Sequence, residues 1–107
     1  MALIRANTSG GGGGLNVYHA TSIPSSGRVD LGFSPKYISV TGYSSQLYNN
    51  VWEDSDASHF TQYWGSSAYP YDVTSGGSGH AYTNVDSTGF NYDTGYTNNI
   101  REVVAYG

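Results

Sequence analysis

The sequence has no cysteine, and this absence excludes disulfide bonds, thiolate catalysis and cysteine-based zinc sites. Basic residues are also scarce, because four Lys and Arg stand against eight Asp and Glu and give a net charge of −4. A nucleic-acid-binding protein needs clustered cations to neutralise phosphates, so we expect no nucleic-acid partner. Neither a long apolar run nor a basic amphipathic helix is present, so we also expect no membrane attachment.

Patterns typical of catalytic and metal sites are missing as well. The sequence shows no nucleophile elbow, no His pair at i and i+4 and no phosphate loop opening a helix. The acidic segment 53–56 supplies too few oxygen ligands for a calcium loop, and its residue types suit a solvated turn. We therefore predict that the protein is not an enzyme and holds no metal or cofactor.

Aliphatic residues are few, and tyrosine supplies much of the apolar content, with 11 Tyr in 107 residues. A buried tyrosine hydroxyl needs a hydrogen-bond partner, and a single domain of this size has a modest core. Such a chain gains stability when it buries further surface against other copies. We therefore expect a homo-oligomer, a trimer or a larger assembly.

Five consecutive glycines at positions 10–14 form the clearest break in composition. Glycine runs act as flexible joints rather than as helix or strand interiors. They divide the chain into an N-terminal arm and tether, residues 1–14, and a folded domain, residues 15–107. Two interpretations of the arm stay open: a disordered terminus, or docking of Ala2, Leu3 and Ile4 on a neighbouring subunit or on a larger particle.

Short runs of β-branched and aromatic residues recur through the rest of the chain, separated by segments rich in turn-forming residues. No segment has sustained helical periodicity. This pattern predicts an all-β fold, an antiparallel β-sandwich of jelly-roll-like type. The predicted strands are residues 15–20, 28–32, 36–42, 47–53, 59–64, 80–85, 90–92 and 100–106.

Two Gly-Phe pairs stand where strands are expected to begin, and an apolar strand closes the chain. The three segments read LGFSPKYISV at 31–40, DSTGFNY at 86–92 and VVAYG at 103–107. Gly32 and Gly89 can adopt positive φ and so turn each Phe into the core. The residues expected in the core or in a buried subunit contact are Phe33, Tyr37, Ile38, Val40, Phe90, Val103 and Val104.

In this order the three segments resemble the small all-β modules of bacteriophage tail, fibre and other virion proteins. The resemblance implies a non-enzymatic structural protein, such as a tail-fibre component or a capsid decoration, that associates with itself and docks on other virion proteins. Assembly in the cytoplasm of a bacterial host, and localisation in the virion, would follow. The alternative is a receptor- or carbohydrate-binding module for host recognition, with a surface glycan as partner.

Aromatic and amide residues concentrate between positions 49 and 71. Sugar rings stack on aromatic planes and pair with amides, while the same residue types are common in protein interfaces and in cores. All three interpretations stay open at this stage. The candidate surface-recognition residues are Asn49, Asn50, Trp52, Tyr63, Trp64, Tyr69 and Tyr71.

Overall fold

The computed structural model describes residues 2–7, 16–73, 81–83, 85–94 and 100–107. Within these ranges the chain forms ten strands and one short 3₁₀ turn, at Asp54–Asp56. No helix in the described ranges has the length and apolar character that crossing a membrane requires. The strands are β1 (Ala2–Asn7), β2 (Asn16–Ile23), β3 (Ser26–Asp30), β4 (Tyr37–Ser44), β5 (Gln46–Glu53), β6 (His59–Trp64), β7 (Ser67–Asp72), β8 (Ala81–Thr83), β9 (Gly89–Asp93) and β10 (Ile100–Tyr106).

The strands form two sheets in which neighbouring strands run antiparallel. The larger sheet has seven strands in the order β1-β2-β10-β4-β5-β6-β7, and the smaller has three in the order β3-β9-β8. Strands β4 to β7 follow one another as a meander, while β10 lies between β2 and β4. Buried side chains from both sheets form one core, so the predicted all-β antiparallel sandwich is confirmed.

Two strands were not predicted, β1 and β7, and they form the two edges of the larger sheet. Pro70 lies in β7, where a residue without an N–H is tolerated because the strand is at an edge. The backbone of β1 pairs with β2, so residues 2–7 belong to the sheet. The predicted boundary between an arm at 1–14 and a domain at 15–107 is revised accordingly. The glycines at 10–14 lie outside the described residues.

The two Gly-Phe pairs lie next to each other in the fold. The backbone N–H groups of Leu31 and Gly32 donate to the carbonyl oxygen of Thr88, at 2.7 and 3.2 Å. Gly32 has a φ of +79°, as predicted, whereas Gly89 does not have positive φ. Gly89 is needed for another reason, since a Cβ there would overlap the carbonyl oxygen of Val29 in the paired strand β3.

The closing segment of the chain meets the first Gly-Phe pair. The backbone N–H of Lys36 donates to the carbonyl oxygen of Tyr106 at 2.8 Å, and Gly107 exchanges two backbone hydrogen bonds with Asn16, both of 3.0 Å. A Cβ at Gly107 would overlap the carbonyl oxygen of Ser34. The three segments on which the virion-module resemblance depends therefore occupy one continuous region of the sandwich.

The core lies between the sheets and is filled by the inward-facing residues of each strand. Four of the predicted core residues, Ile38, Val40, Phe90 and Val103, are at most 1% exposed, and Phe33 packs against them half-buried. Two other predicted residues are not in the core. Tyr37 and Val104 are half-buried on the opposite face of the larger sheet, because side chains alternate along each strand.

Candidate interaction surface

The candidate recognition residues do not form one patch, because the pleat of the larger sheet divides them between its two faces. We call the face toward the smaller sheet the inner face and the opposite face the outer face. In β5 the inner-face residues Asn50 and Trp52 are buried. Asn49 is half-buried on the outer face, and β6 places Tyr63 opposite it. Alternation with a period of two explains the division.

Trp52 is a core residue and is 3% exposed. Its indole Nε1–H donates to the backbone carbonyl oxygen of Ala57 at 2.9 Å. The bond fixes the segment after the 3₁₀ turn against β5 and satisfies the one polar atom of the side chain. A buried and hydrogen-bonded indole cannot stack on a sugar ring. The prediction that Trp52 is a surface-recognition residue is therefore wrong.

Trp64 and Asn50 also belong to the inner face. The ring of Trp64 stacks on the buried ring of Tyr48 with centroids 5.6 Å apart and planes 7° apart. Tyr48 lies over Gly42 in the paired strand β4, where any Cβ would overlap the phenol ring. Asn50 is buried opposite Gln62. These contacts are internal to the sheet. The prediction that Asn50 is a surface-recognition residue is therefore also wrong.

The two tyrosines of β7 differ from each other. Tyr71 is half-buried and packs on Phe60, with ring centroids 5.7 Å apart. Tyr69 lies opposite the buried Gln62, yet it is 46% exposed because β7 is an edge strand. Of the predicted residues on the inner face, Tyr69 is the most accessible.

The outer face brings together Asn49 and Tyr63, which are register partners. Tyr63 is 48% exposed. The side-chain amide of Asn49 donates to Ser39 Oγ at 2.7 Å and to Thr41 Oγ1 at 2.9 Å. The amide is therefore held in a fixed orientation beside an exposed aromatic ring.

Leu47 completes this part of the outer face and was not among the predicted residues. It is 53% exposed and lies at the start of β5. Around it the surface forms a concavity of about 370 Å³, which we call the hairpin concavity. Its lining residues are Thr41, Gln46, Leu47, Tyr48, Asn49, Tyr63 and Gly65. The period of two, counted from Asn49 along β5, is the sequence signal that could have identified Leu47.

A second aromatic group lies at the other end of the outer face. Tyr37 and Tyr106 are cross-strand partners, and their rings stack with centroids 4.8 Å apart and planes 12° apart. Half-buried Val51 in β5 lies between this stack and Tyr63, and half-buried Val104 lies next to the stack in β10. We define these five residues together with Leu47 as the outer-face stripe. No described strand covers the stripe, which leaves apolar surface accessible along the larger sheet.

His59 joins the 3₁₀ turn to edge strand β7. Its Nδ1 lies 2.9 Å from Asp56 Oδ1, and its Nε2 lies 3.0 Å from Asp72 Oδ1. The hydrogen bond to Asp56, and then the charges of Asp56 and Asp72, raise the pKa of His59 above its ordinary value. Two carboxylates on one imidazole favour the doubly protonated form, which has no nitrogen lone pair for base catalysis. His59, Asp56 and Asp72 therefore link the 3₁₀ turn to β7, and we call this group the His59 clamp. Among the described residues no group of His, Asp and Glu is arranged to hold a metal ion.

Arg28 and Asp86 hold the second Gly-Phe segment in place. Asp86 Oδ1 accepts the backbone N–H of Thr88 at 2.8 Å and an Nη2–H of Arg28 at 2.9 Å. These bonds, the one from Thr88 first, hold the pKa of Asp86 well below its usual range. Arg28 also donates to Asn91 Oδ1 at 3.0 Å. The network has a structural role, because it orients the turn that precedes the buried residue Phe90.

The predicted docking residues Ala2, Leu3 and Ile4 lie in β1, opposite Thr21, Ala20 and His19 of β2. Their backbone is thus paired within the chain. Docking on another subunit stays a prediction.

Comparisons of the chain with protein-family models, with curated proteins and with solved structures find no match. The functional conclusion therefore depends on the surfaces described above and on the sequence pattern.

Proposed function

We propose that the chain is a non-enzymatic structural component of a bacteriophage particle, such as a tail-fibre, tail or capsid-decoration protein. It acts by associating with copies of itself and by docking on other virion proteins. The sequence pattern of two Gly-Phe segments and a closing apolar strand supports the class of protein. The outer-face stripe supports the mode of action.

The observation that carries the proposal is the exposure of apolar side chains on the outer face of the larger sheet. The smaller sheet packs against the inner face, where the shared core lies. On the other face, Leu47, Tyr63 and Tyr106 are each at least 39% exposed. Aromatic and aliphatic side chains of this kind supply the central contacts of protein interfaces, where charged residues are depleted. The stripe is suited to bury itself against another copy or another virion protein.

A charge inserted into the stripe tests the proposal. We expect the double substitution Leu47→Asp and Tyr63→Asp to convert the assembled parent into monomers, because burying two unpaired carboxylates in an interface is unfavourable. Light scattering measures the mass, and the melting temperature of the monomeric variant reports its fold. Ser67→Asp, at an exposed position of β7 opposite Trp64 and outside the stripe, is the matched control and should assemble like the parent.

Two results would contradict the proposal. One is a parent chain that stays monomeric at every concentration and does not join a particle. The other is a double variant that assembles as the parent does.

The hairpin concavity favours a second candidate function, recognition of a host surface glycan. It combines the exposed ring of Tyr63 with the fixed amide of Asn49, and stacking planes beside amides suit sugar rings. Tyr63→Ala should abolish binding on a glycan array, whereas Tyr69→Ala, with a similarly exposed ring on the inner face, should not. Absence of glycan binding by the parent, or equal loss in both variants, would reject this function.

A further inference from the structure

The first strand, β1, covers an edge of the larger sheet that would otherwise be open. It pairs with β2 from Ala2 opposite Thr21 to Asn7 opposite Asn16, and β2 pairs with β10 on its other side. Without β1, residues 16–21 of β2 would present unpaired backbone N–H and C=O groups. Such an edge accepts any strand of matching register. Covering this edge therefore requires a strand that can take the register of β1, whichever copy of the chain supplies it.

The connection from β1 to β2 differs from the other hairpin connections of the larger sheet. Strands β4 and β5 are joined by one residue, Ser45, with a φ of +60°, and β6 and β7 by two residues, of which Gly65 has a φ of +61°. Tight turns with positive φ specify that the two strands pair within one chain. Eight residues, 8–15, connect β1 to β2, and five of them are glycine. A flexible connection of that length lets β1 reach its own β2 or that of an adjacent copy. Pairing within the chain is favoured only by its higher effective concentration, an advantage that falls when copies are held together in an assembly.

A second copy of the chain presents the same edge and the same strand. Pairing β1 of one copy with β2 of another would form the same six register pairs, so the exchange requires no new contact. The nine residue steps from Asn7 to Asn16 span at most about 30 Å when extended, which sets how far apart the two copies can lie.

We propose that β1 is an exchangeable strand, which closes the β2 edge of its own chain in the monomer and that of a neighbouring copy in the assembly. The proposal rests on the proposed self-association and names a second contact for it, apart from the outer-face stripe. The register places the predicted docking residues Ala2, Leu3 and Ile4 in this contact.

Engineered cysteines test the exchange without interference, because the native chain has none. One variant carries Ala2→Cys and another Thr21→Cys, at positions that are register partners. The two variants are mixed under reducing conditions, assembled and then oxidised. Exchange predicts covalent dimers in which mass spectrometry finds a disulfide between positions 2 and 21. Mixtures in which no such dimer forms would overturn the proposal.

A matched pair of variants measures the background of random crosslinking. Ser26→Cys and Asp93→Cys occupy exposed register partners of β3 and β9 in the smaller sheet. Each of these strands is flanked in the chain by other strands of the sandwich, so neither can exchange while the domain stays folded. Their mixture should give no crosslinked dimer. A 2-to-21 crosslink no more abundant than the 26-to-93 crosslink would also contradict the exchange.

A chain locked in the closed form gives a second, independent measurement. Oxidation of the Ala2→Cys, Thr21→Cys double variant as a dilute monomer should form an internal disulfide that holds β1 on its own β2. Loss of assembly by the locked chain, with recovery after reduction, is the expected result. A locked chain that assembles like the parent would overturn strand exchange yet leave the proposed self-association standing. A parent chain that never assembles would overturn both.

Discussion

The two faces of the larger sheet are built from the same strands and similar residue types, yet the side chains on them have opposite environments. On the inner face Val40, Trp52 and Phe60 are at most 3% exposed, whereas Leu47 and Tyr63 on the outer face are about half exposed. The smaller sheet makes the difference, because it covers one face and not the other. Aromatic content therefore does not by itself distinguish a core from an interface in this protein. What distinguishes a core residue from an interface residue is the face of the pleated sheet on which it lies.

The largest effect is expected from an inner-face truncation. Trp52→Ala should lower the free energy of unfolding by about 3 to 5 kcal/mol, because it removes a buried ring and leaves a cavity. It also leaves the carbonyl oxygen of Ala57 without its indole donor. Chemical denaturation measures the change. A loss of less than about 1 kcal/mol would contradict the placement of Trp52 in the core.

Adding a single methyl group to the inner face should also destabilise the protein. Gly42→Ala introduces a Cβ that overlaps the ring of Tyr48, which is held against Trp64. We expect a destabilisation of about 1 to 3 kcal/mol, typical of overpacking. In a Tyr48→Ala background the same substitution should cost much less, because the obstructing ring is gone. Equal costs in both backgrounds would show that Tyr48 does not restrict this position.

The His59 clamp at the rim of the sheet should make stability depend on pH. The pKa of His59 is raised in the folded state, from an unfolded value of 6.5. Its contribution is therefore complete below about pH 6.5 and is lost as the pH rises through the folded-state value. We expect the melting temperature of the parent to exceed that of His59→Gln at about pH 6, with the gap closing as the pH rises through the folded-state pKa of His59. A gap that widens above about pH 6 would show that folding lowers the pKa of His59 instead of raising it.

The smallest effect is expected on the outer face. Tyr63→Ala removes an exposed ring, so we expect the free energy of unfolding of the monomer to change by no more than about 0.5 kcal/mol. The same substitution should weaken assembly. A loss of monomer stability as large as that of Trp52→Ala would mean that the outer face is covered within the chain.

The sequence predicted the strands well where turn residues bracket a β-prone run, and two strands, β6 and β10, have the predicted limits. It did not predict β7, because Pro70 among tyrosines also suits a loop and only edge pairing shows that it is a strand. The sequence predicted an arm in place of β1, because the glycine run indicates a flexible joint and does not show that β1 pairs with β2 beyond it.

The phase of β5 explains why the recognition patch was predicted less well. Each face of β5 carries two apolar residues: Leu47 and Val51 lie on one face, and Tyr48 and Trp52 lie on the other. Either set could have faced the core, and periodicity alone does not choose between them. The choice depends on tertiary pairing: Gly42 leaves room for Tyr48, and Phe60 lies opposite Trp52.

Tyrosine labelling tests most directly whether the outer face is the association surface. A tyrosine-modifying reagent is applied to the dilute monomer and to the assembled protein, and mass spectrometry measures modification at each site. We predict that Tyr63 and Tyr106 become protected on assembly, while Tyr69, similarly exposed at the β7 edge, stays reactive. Equal reactivity of Tyr63 and Tyr106 in monomer and assembly, or protection of Tyr69 alone, would contradict the account.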